Sequence, residues 1–96
     1  MGVNRAEKRL FKLNDELARL RRDETLTLGE LEMHAHLHDD DLRDALVSDA
    51  PYDRAQQRQS AKDVERLRGA LDSVRAKIER AERSRAELLA KLDDSV

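Results

Sequence analysis

Cysteine and tryptophan are both missing from this 96-residue sequence, and only Phe11 and Tyr52 are aromatic. Without cysteine, neither a disulfide framework nor a thiolate metal site can form. A compact globule of this length needs a continuous apolar core with aromatic anchors, so the shortage of aromatic residues argues against one. Gly contributes 3 residues and Pro only 1. Because Ala, Leu, Arg, Glu, Lys and Gln dominate instead, the sequence predicts an all-α protein with long helices.

Long apolar runs and catalytic motifs are absent from the sequence as well. No run approaches the roughly 20 apolar residues that span a bilayer, and the sequence shows no leader of the secretory kind. We therefore expect a cytoplasmic protein with no membrane partner. A cysteine nucleophile, a Gly-rich phosphate loop and a serine in a strand-turn-helix context are all missing, so we expect no enzyme activity and no bound cofactor.

Two segments place apolar side chains at alternating steps of three and four residues, the spacing that keeps one stripe of a helix against a partner helix. The pattern predicts a coiled coil with helices over residues 3–47 and 53–93. We call the repeating positions the seam, and Arg85 interrupts its apolar pattern in the second helix. The predicted interface residues are Leu10, Leu13, Leu17, Leu20, Leu31, Val64, Leu67, Leu71, Val74, Ile78, Leu88 and Leu92.

The middle of the first helix fits this repeat poorly. Strict continuation of the repeat would bring into the seam Glu24, Thr27, Leu31, His34, His38 and Asp41. A single shift in register brings in apolar residues such as Leu28 and Leu42 instead, so we predict this shift, in a helix that is continuous or kinked near residues 24–29. The alternative is a full break in this range, because Gly29 weakens a helix interior and a capping pattern surrounds it.

The segment Ser48-Asp49-Ala50-Pro51 is the compact turn signal of the chain, and it predicts a turn over residues 48–52. Helices of similar length on either side predict a single domain over residues 1–96, folded as a long antiparallel helical hairpin in which Leu20 faces Ile78. One narrow seam is marginal, so we expect the hairpin to dimerise into a four-helix assembly. The apolar residues off the seam that could line this second surface are Phe11, Met33, Leu37, Leu46 and Leu89.

Charge is distributed unevenly, although the formal net charge is only −2. Residues 4–22 carry seven basic and three acidic side chains. Residues 23–53 carry one basic and ten acidic side chains, and residues 54–92 carry eleven basic and six acidic ones.

The hairpin would collect acidic residues at one end, which we call the acidic tip. It consists of Asp39, Asp40, Asp41, Asp44, Asp49 and Asp53. Three functions are open for it: a solvated helix end, recognition of a basic partner, or oxygen ligands for a divalent ion in another protein's site. Direct nucleic-acid binding is not expected, because the basic residues are interleaved with acids and lack aromatic neighbours.

A histidine and aspartate cluster raises a metal hypothesis. His34 and His38 are four residues apart, and Asp41 follows His34 by seven, so a helix would place all three on one face. Two imidazoles and a carboxylate suit a divalent transition metal. The alternative is an ordinary solvated cluster, in which protonation of His38 near neutrality could make the tip sensitive to pH.

The run Asp40-Asp41-Leu42-Arg43-Asp44-Ala45 resembles the tip of the N-terminal coiled-coil hairpin of Gre-type factors, which enter the secondary channel of bacterial RNA polymerase. The resemblance implies that Asp41 and Asp44 occupy the two acidic tip positions that help to hold a catalytic magnesium in the polymerase. The sequence departs from the family at Asp40, where a glycine is expected, and at Ala45, where an asparagine is expected. These 96 residues contain no counterpart of the family's globular C-terminal domain, so the resemblance implies a transcription regulator more than a cleavage factor.

Three functions follow from the sequence. The first is a non-enzymatic coiled-coil module for protein–protein interaction, working as an adaptor and homo-oligomer with a protein partner of unknown identity. The second is a regulator that binds bacterial RNA polymerase through the acidic tip. The third is a metal-binding helical protein that uses His34, His38 and Asp41.

Overall fold

The computed structural model describes residues 4–94, and this range contains two helices and no strand. Helix α1 spans Arg5–Val47 and helix α2 spans Pro51–Asp94. The predicted fold class, a long antiparallel helical hairpin, is confirmed. Helix α1 is continuous across residues 24–29, so the alternative of a break there is wrong.

Both helix starts differ slightly from the predicted bounds, and local hydrogen bonds explain where the helices begin. Residue 3, the predicted start of the first helix, lies outside the described residues. Asn4 caps α1: its Oδ1 accepts from the backbone N–H of Glu7 at 2.8 Å, and its Nδ2 donates to Glu7 Oε1 at 3.2 Å. This reciprocal pair is a capping arrangement that satisfies N-terminal donors of a helix.

The turn is shorter than the predicted 48–52, because α2 begins at Pro51 and not at residue 53. Proline suits the first helical position, where its fixed φ fits the helix and its missing N–H is not needed. The carbonyl of Ala50 accepts from the backbone N–H groups of Asp53 and Arg54 at 3.1 and 3.4 Å. Ser48 Oγ accepts from the backbone N–H of Ala50 at 3.2 Å, which completes the turn.

The chain divides into two compact units, which are described separately. Unit 1 consists of residues 4–24 and 73–94. Leu17 and Ala81 are its buried apolar residues. The helices of unit 1 are antiparallel neighbours, since Arg75 Nε donates to Glu24 Oε2 at 3.0 Å and Arg21 pairs with Glu82 at 3.5 Å. The predicted interface residues that are half-buried here are Leu10, Leu13, Leu20, Val74, Ile78, Leu88 and Leu92.

Unit 2 consists of residues 25–72 and contains the turn. Its core is asymmetric, because the buried apolar side chains Val64, Leu67 and Leu71 all belong to α2. From α1, the apolar residues Leu28, Leu31, Ala35 and Ala45 are half-buried. None of the described α1 residues in unit 2 is fully buried.

Both the shifted and the unshifted repeat supply half-buried residues in the middle of α1. From the shifted repeat, these include Leu28, Ala35 and Ala45. Asp41, a position of the unshifted repeat, is half-buried, whereas Leu42 of the shifted repeat is 38% exposed. Thr27 and His34, which the shift would have removed from the seam, are also half-buried. Polar side chains are tolerated at a half-buried seam because their polar ends can still reach water or a partner across it.

The seam position predicted for Arg85 is wrong too. Arg85 is exposed and its Nε donates to Asn14 Oδ1 at 2.7 Å, while the neighbouring Ser84 is half-buried. A small serine can face the other helix where a charged guanidinium cannot be desolvated cheaply, so the long arginine side chain turns outward to a polar partner.

Candidate functional site

A polar contact crosses the seam of unit 2 between His38 and Ser60. Ser60 is the buried polar residue of the described chain, with 6% of its surface exposed, and its Oγ lies 3.0 Å from Nδ1 of His38. The Ser60 hydroxyl also lies 3.1 Å from the backbone carbonyl of Gln57, to which it donates. A hydroxyl has one hydrogen, so with that hydrogen on Gln57 the oxygen accepts from His38. His38 then carries a proton on Nδ1.

The other two members of the predicted metal cluster, His34 and Asp41, are half-buried on the same helix as His38. Within residues 4–94, no three histidine, cysteine or carboxylate side chains come together in a geometry that could hold a metal ion. The metal hypothesis for His34, His38 and Asp41 therefore stays a prediction, and the geometry of these residues gives it no additional support.

The six aspartates of the acidic tip do not share one environment. Asp41 and Asp53 are half-buried, and the remaining four are exposed. Two of the exposed carboxylates have basic neighbours: Arg43 pairs with Asp40, and Arg54 pairs with Asp49 at 3.6 Å. Ion pairs this exposed contribute little to stability, because water screens the charges. Their main effect is to lower the local excess of negative charge.

An apolar stripe lies on the outer surface of α1 in unit 2. It consists of Leu26, Met33 and Leu37, which are 66%, 55% and 48% exposed. Spacings of seven and four residues put the three side chains within an arc of about 40° on one flank of the helix. Met33 and Leu37 were predicted to lie off the seam, whereas Leu26 is a member of the stripe that was not predicted, although its seven-residue spacing to Met33 is a signal for it.

The stripe coexists with a seam of mixed polarity in unit 2. The half-buried residues of α1 in this unit are Thr27, Leu28, Leu31, His34, Ala35, His38, Asp41 and Ala45. A helix normally turns its most apolar face toward the helix it packs on. In unit 2, three large apolar side chains of α1 nevertheless stay exposed, while polar residues are half-buried.

A groove runs between the two helices of unit 1 as three adjoining concavities of about 490, 170 and 70 Å³. Apolar side chains of the seam contribute to it, and its other lining residues are mostly charged. Six of these are basic and three are acidic. The lining residues are Arg9, Leu13, Glu16, Arg19, Leu20, Arg22, Asp23, Lys77, Arg80, Ala81, Ser84, Glu87, Leu88 and Lys91.

Comparison with known proteins adds no family to these observations. No protein-family model matches the chain, and neither a curated protein sequence nor a solved structure is significantly similar to it. In the described part of the chain, neither helix has a stretch apolar enough to cross a membrane. The structural basis for a function is therefore the geometry of the two units.

Proposed function

We propose that this chain is a non-enzymatic helical module for protein–protein interaction, and that the stripe of Leu26, Met33 and Leu37 is its binding surface. The observation that carries the proposal is the exposure of these three large apolar side chains, between 48% and 66%, on one flank of α1. Full burial of one such side chain contributes about 1.5–3 kcal/mol of favourable free energy. A partner that covers the stripe therefore buries apolar surface that the hairpin leaves exposed.

The geometry of the stripe favours a helical partner. Apolar side chains separated by seven and four residues form the ridge that a second helix packs against in bundles. The alternative use of this chain through its acidic tip, at Asp41 and Asp44, remains a hypothesis that the resemblance to polymerase-binding hairpins suggests. Asp44 is exposed and Asp41 is half-buried.

Site-specific photo-cross-linking tests the proposal. A photoreactive amino acid placed at Met33 in living cells that express the chain should give discrete covalent adducts, because a partner covers that position. The matched control is Leu46, which is 84% exposed on the same helix and lies roughly half a turn around α1 from the stripe. We expect no comparable adducts from position 46. Equal yields at the two positions, or none at Met33, would refute the proposal.

A further inference from the structure

The chain exposes more surface than an isolated folded protein of its size. Its accessible surface is 7361 Å², whereas a folded monomer of 11.1 kDa exposes about 5,700 Å². The difference, roughly 1,700 Å², is larger than the roughly 800 Å² that each partner contributes to a stable interface. The chain therefore has enough surplus surface to form such an interface while remaining no more exposed than other folded proteins.

The two units carry opposite charge. Residues 25–72 contain eleven acidic and six basic side chains, while residues 4–24 and 73–94 together contain ten acidic and thirteen basic ones. Unit 2 is thus negative and unit 1 is positive. In a pair of identical chains, contacts between like units are repulsive and contacts between unlike units are attractive. A second copy is consequently complementary to the first only when unit 1 of one chain faces unit 2 of the other.

The stripe and the groove are also complementary in their chemistry. The stripe is apolar, and the carboxylates of Glu30 and Asp44 lie on the same flank of α1 at spacings of seven from Leu37. The groove of unit 1 has apolar side chains such as Leu20 along it, and an excess of basic side chains on its walls that includes Arg19 and Lys77. Apolar side chains can enter the groove while the carboxylates beside them meet the basic walls.

We propose that the occupant of the stripe is the unit 1 groove of a second copy of this chain. This inference rests on the proposed function, since it names the partner of the same surface. The contact is reciprocal, because each chain carries one stripe and one groove, so a pair of chains can make it twice. Each contact is as long as the 25–47 part of α1 and about as wide as one helix. The two contacts together bury roughly 1,300 Å² of accessible surface, counted over both chains, which is within the range of stable interfaces.

Mass measurement by light scattering, with the full chain over a wide concentration range, is the first test. We expect the mass of two chains for the unaltered protein. Met33→Lys should weaken the dimer about tenfold or more, because it places a charge in an apolar contact. Leu46→Lys should leave the mass unchanged, since it adds the same charge outside the stripe. Circular dichroism checks that both variants keep their helices, and a monomeric unaltered chain at every concentration would overturn the inference.

Charge exchange is the second test, and it does not depend on removing an apolar residue. One variant carries Glu30→Lys and Asp44→Lys beside the stripe, and the other carries Arg19→Glu and Lys77→Glu in the groove. Each variant alone should dissociate, because both of its contacts then pair like charges. A mixture of the two should restore the dimer, because both contacts in the mixed pair are again matched. Dissociated chains in the mixture would contradict the inference.

The two proposals fail in different ways. If the unaltered chain is a monomer but a photoreactive group at Met33 cross-links to a different protein, the stripe is a binding surface and the second copy is the wrong occupant. If position 33 gives no adduct above position 46 and the chain is a monomer, both proposals are wrong. An adduct between two copies of this chain supports both.

Discussion

The hydrogen bond between His38 and Ser60 shows how a single polar pair can lie inside a hairpin seam. Ser60 is 6% exposed and would be costly to bury without partners, but both its hydrogen and its oxygen are used. In the described chain, every buried side-chain nitrogen or oxygen has a hydrogen-bond partner. The pair is formed only in the register that brings residue 38 opposite residue 60, so it favours that register over its neighbours.

The proton arrangement of this pair is a testable prediction. We expect the neutral imidazole of His38 to carry its hydrogen on Nδ1, because the Ser60 hydroxyl donates to Gln57 and can only accept from the ring. Long-range ¹H–¹⁵N correlation spectra distinguish the two tautomers directly. Exposed His36 is the internal control, and Ser60→Ala should remove the preference at His38. A neutral His38 with its hydrogen mainly on Nε2 would show that the serine donates to the ring instead.

At individual residues, the sequence predicted apolar positions better than polar ones. Leu17, Val64, Leu67 and Leu71 were predicted to face the opposite helix, and all four are buried. Ser60 was missed, because a serine gives no apolar signal and its burial depends on partners from two places in the chain. Periodicity identifies which side chains leave water, but it does not identify hydrogen-bond partners across a seam.

Among the structural elements, α1 is the more informative, because apolar and polar positions alternate in the part of it that is half-buried. Helical propensity over residues 5–47 is strong enough that Gly29 does not interrupt the helix. In its middle, Leu28 and Leu31 are half-buried together with Thr27 and His34. The sequence could therefore predict both helices and their turn, but the apolar repeat alone could not predict which polar residues of α1 leave water.

Glycine substitution provides a prediction at this scale. A Cβ built on Gly29 would meet nothing within 4 Å, and the same is true of Gly69 in α2. Alanine at either position should raise the free energy of unfolding by about 0.5–1 kcal/mol, because it lowers the backbone entropy of the unfolded chain without a clash. Urea unfolding at one fixed protein concentration measures the effect.

Gly69→Ala serves as the reference for Gly29→Ala. Both substitutions add the same methyl group to a helix interior, and Gly29 lies closer in the sequence to the stripe. We expect similar gains if both positions are free of contacts. A loss of stability at either position would show that its surroundings are tighter than the fold indicates.

For the whole molecule, the notable feature is that the two units differ in the sign of their charge and in the use of their apolar surface. The sequence showed the charge pattern directly, since it is a matter of counting along the chain. The exposed stripe of unit 2 and the groove of unit 1 could not be predicted in full, because both depend on which faces of the helices pair. The proposed function follows from the stripe, and the resemblance of Asp41 and Asp44 to an acidic hairpin tip stays a separate prediction.

The proposed function requires that α1 turns His38 toward α2 in unit 2 and leaves the stripe, including Leu37, on the outside. Because the chain has no cysteine, engineered cysteine pairs test this without interference. The pair His38→Cys and Ser60→Cys should form a disulfide within one chain under mild oxidation, whereas the pair Leu37→Cys and Ser60→Cys should not, because Leu37 is adjacent to His38 but lies on the exposed flank. Efficient closure of the second pair, or cross-linking of the first pair only between chains, would contradict the account.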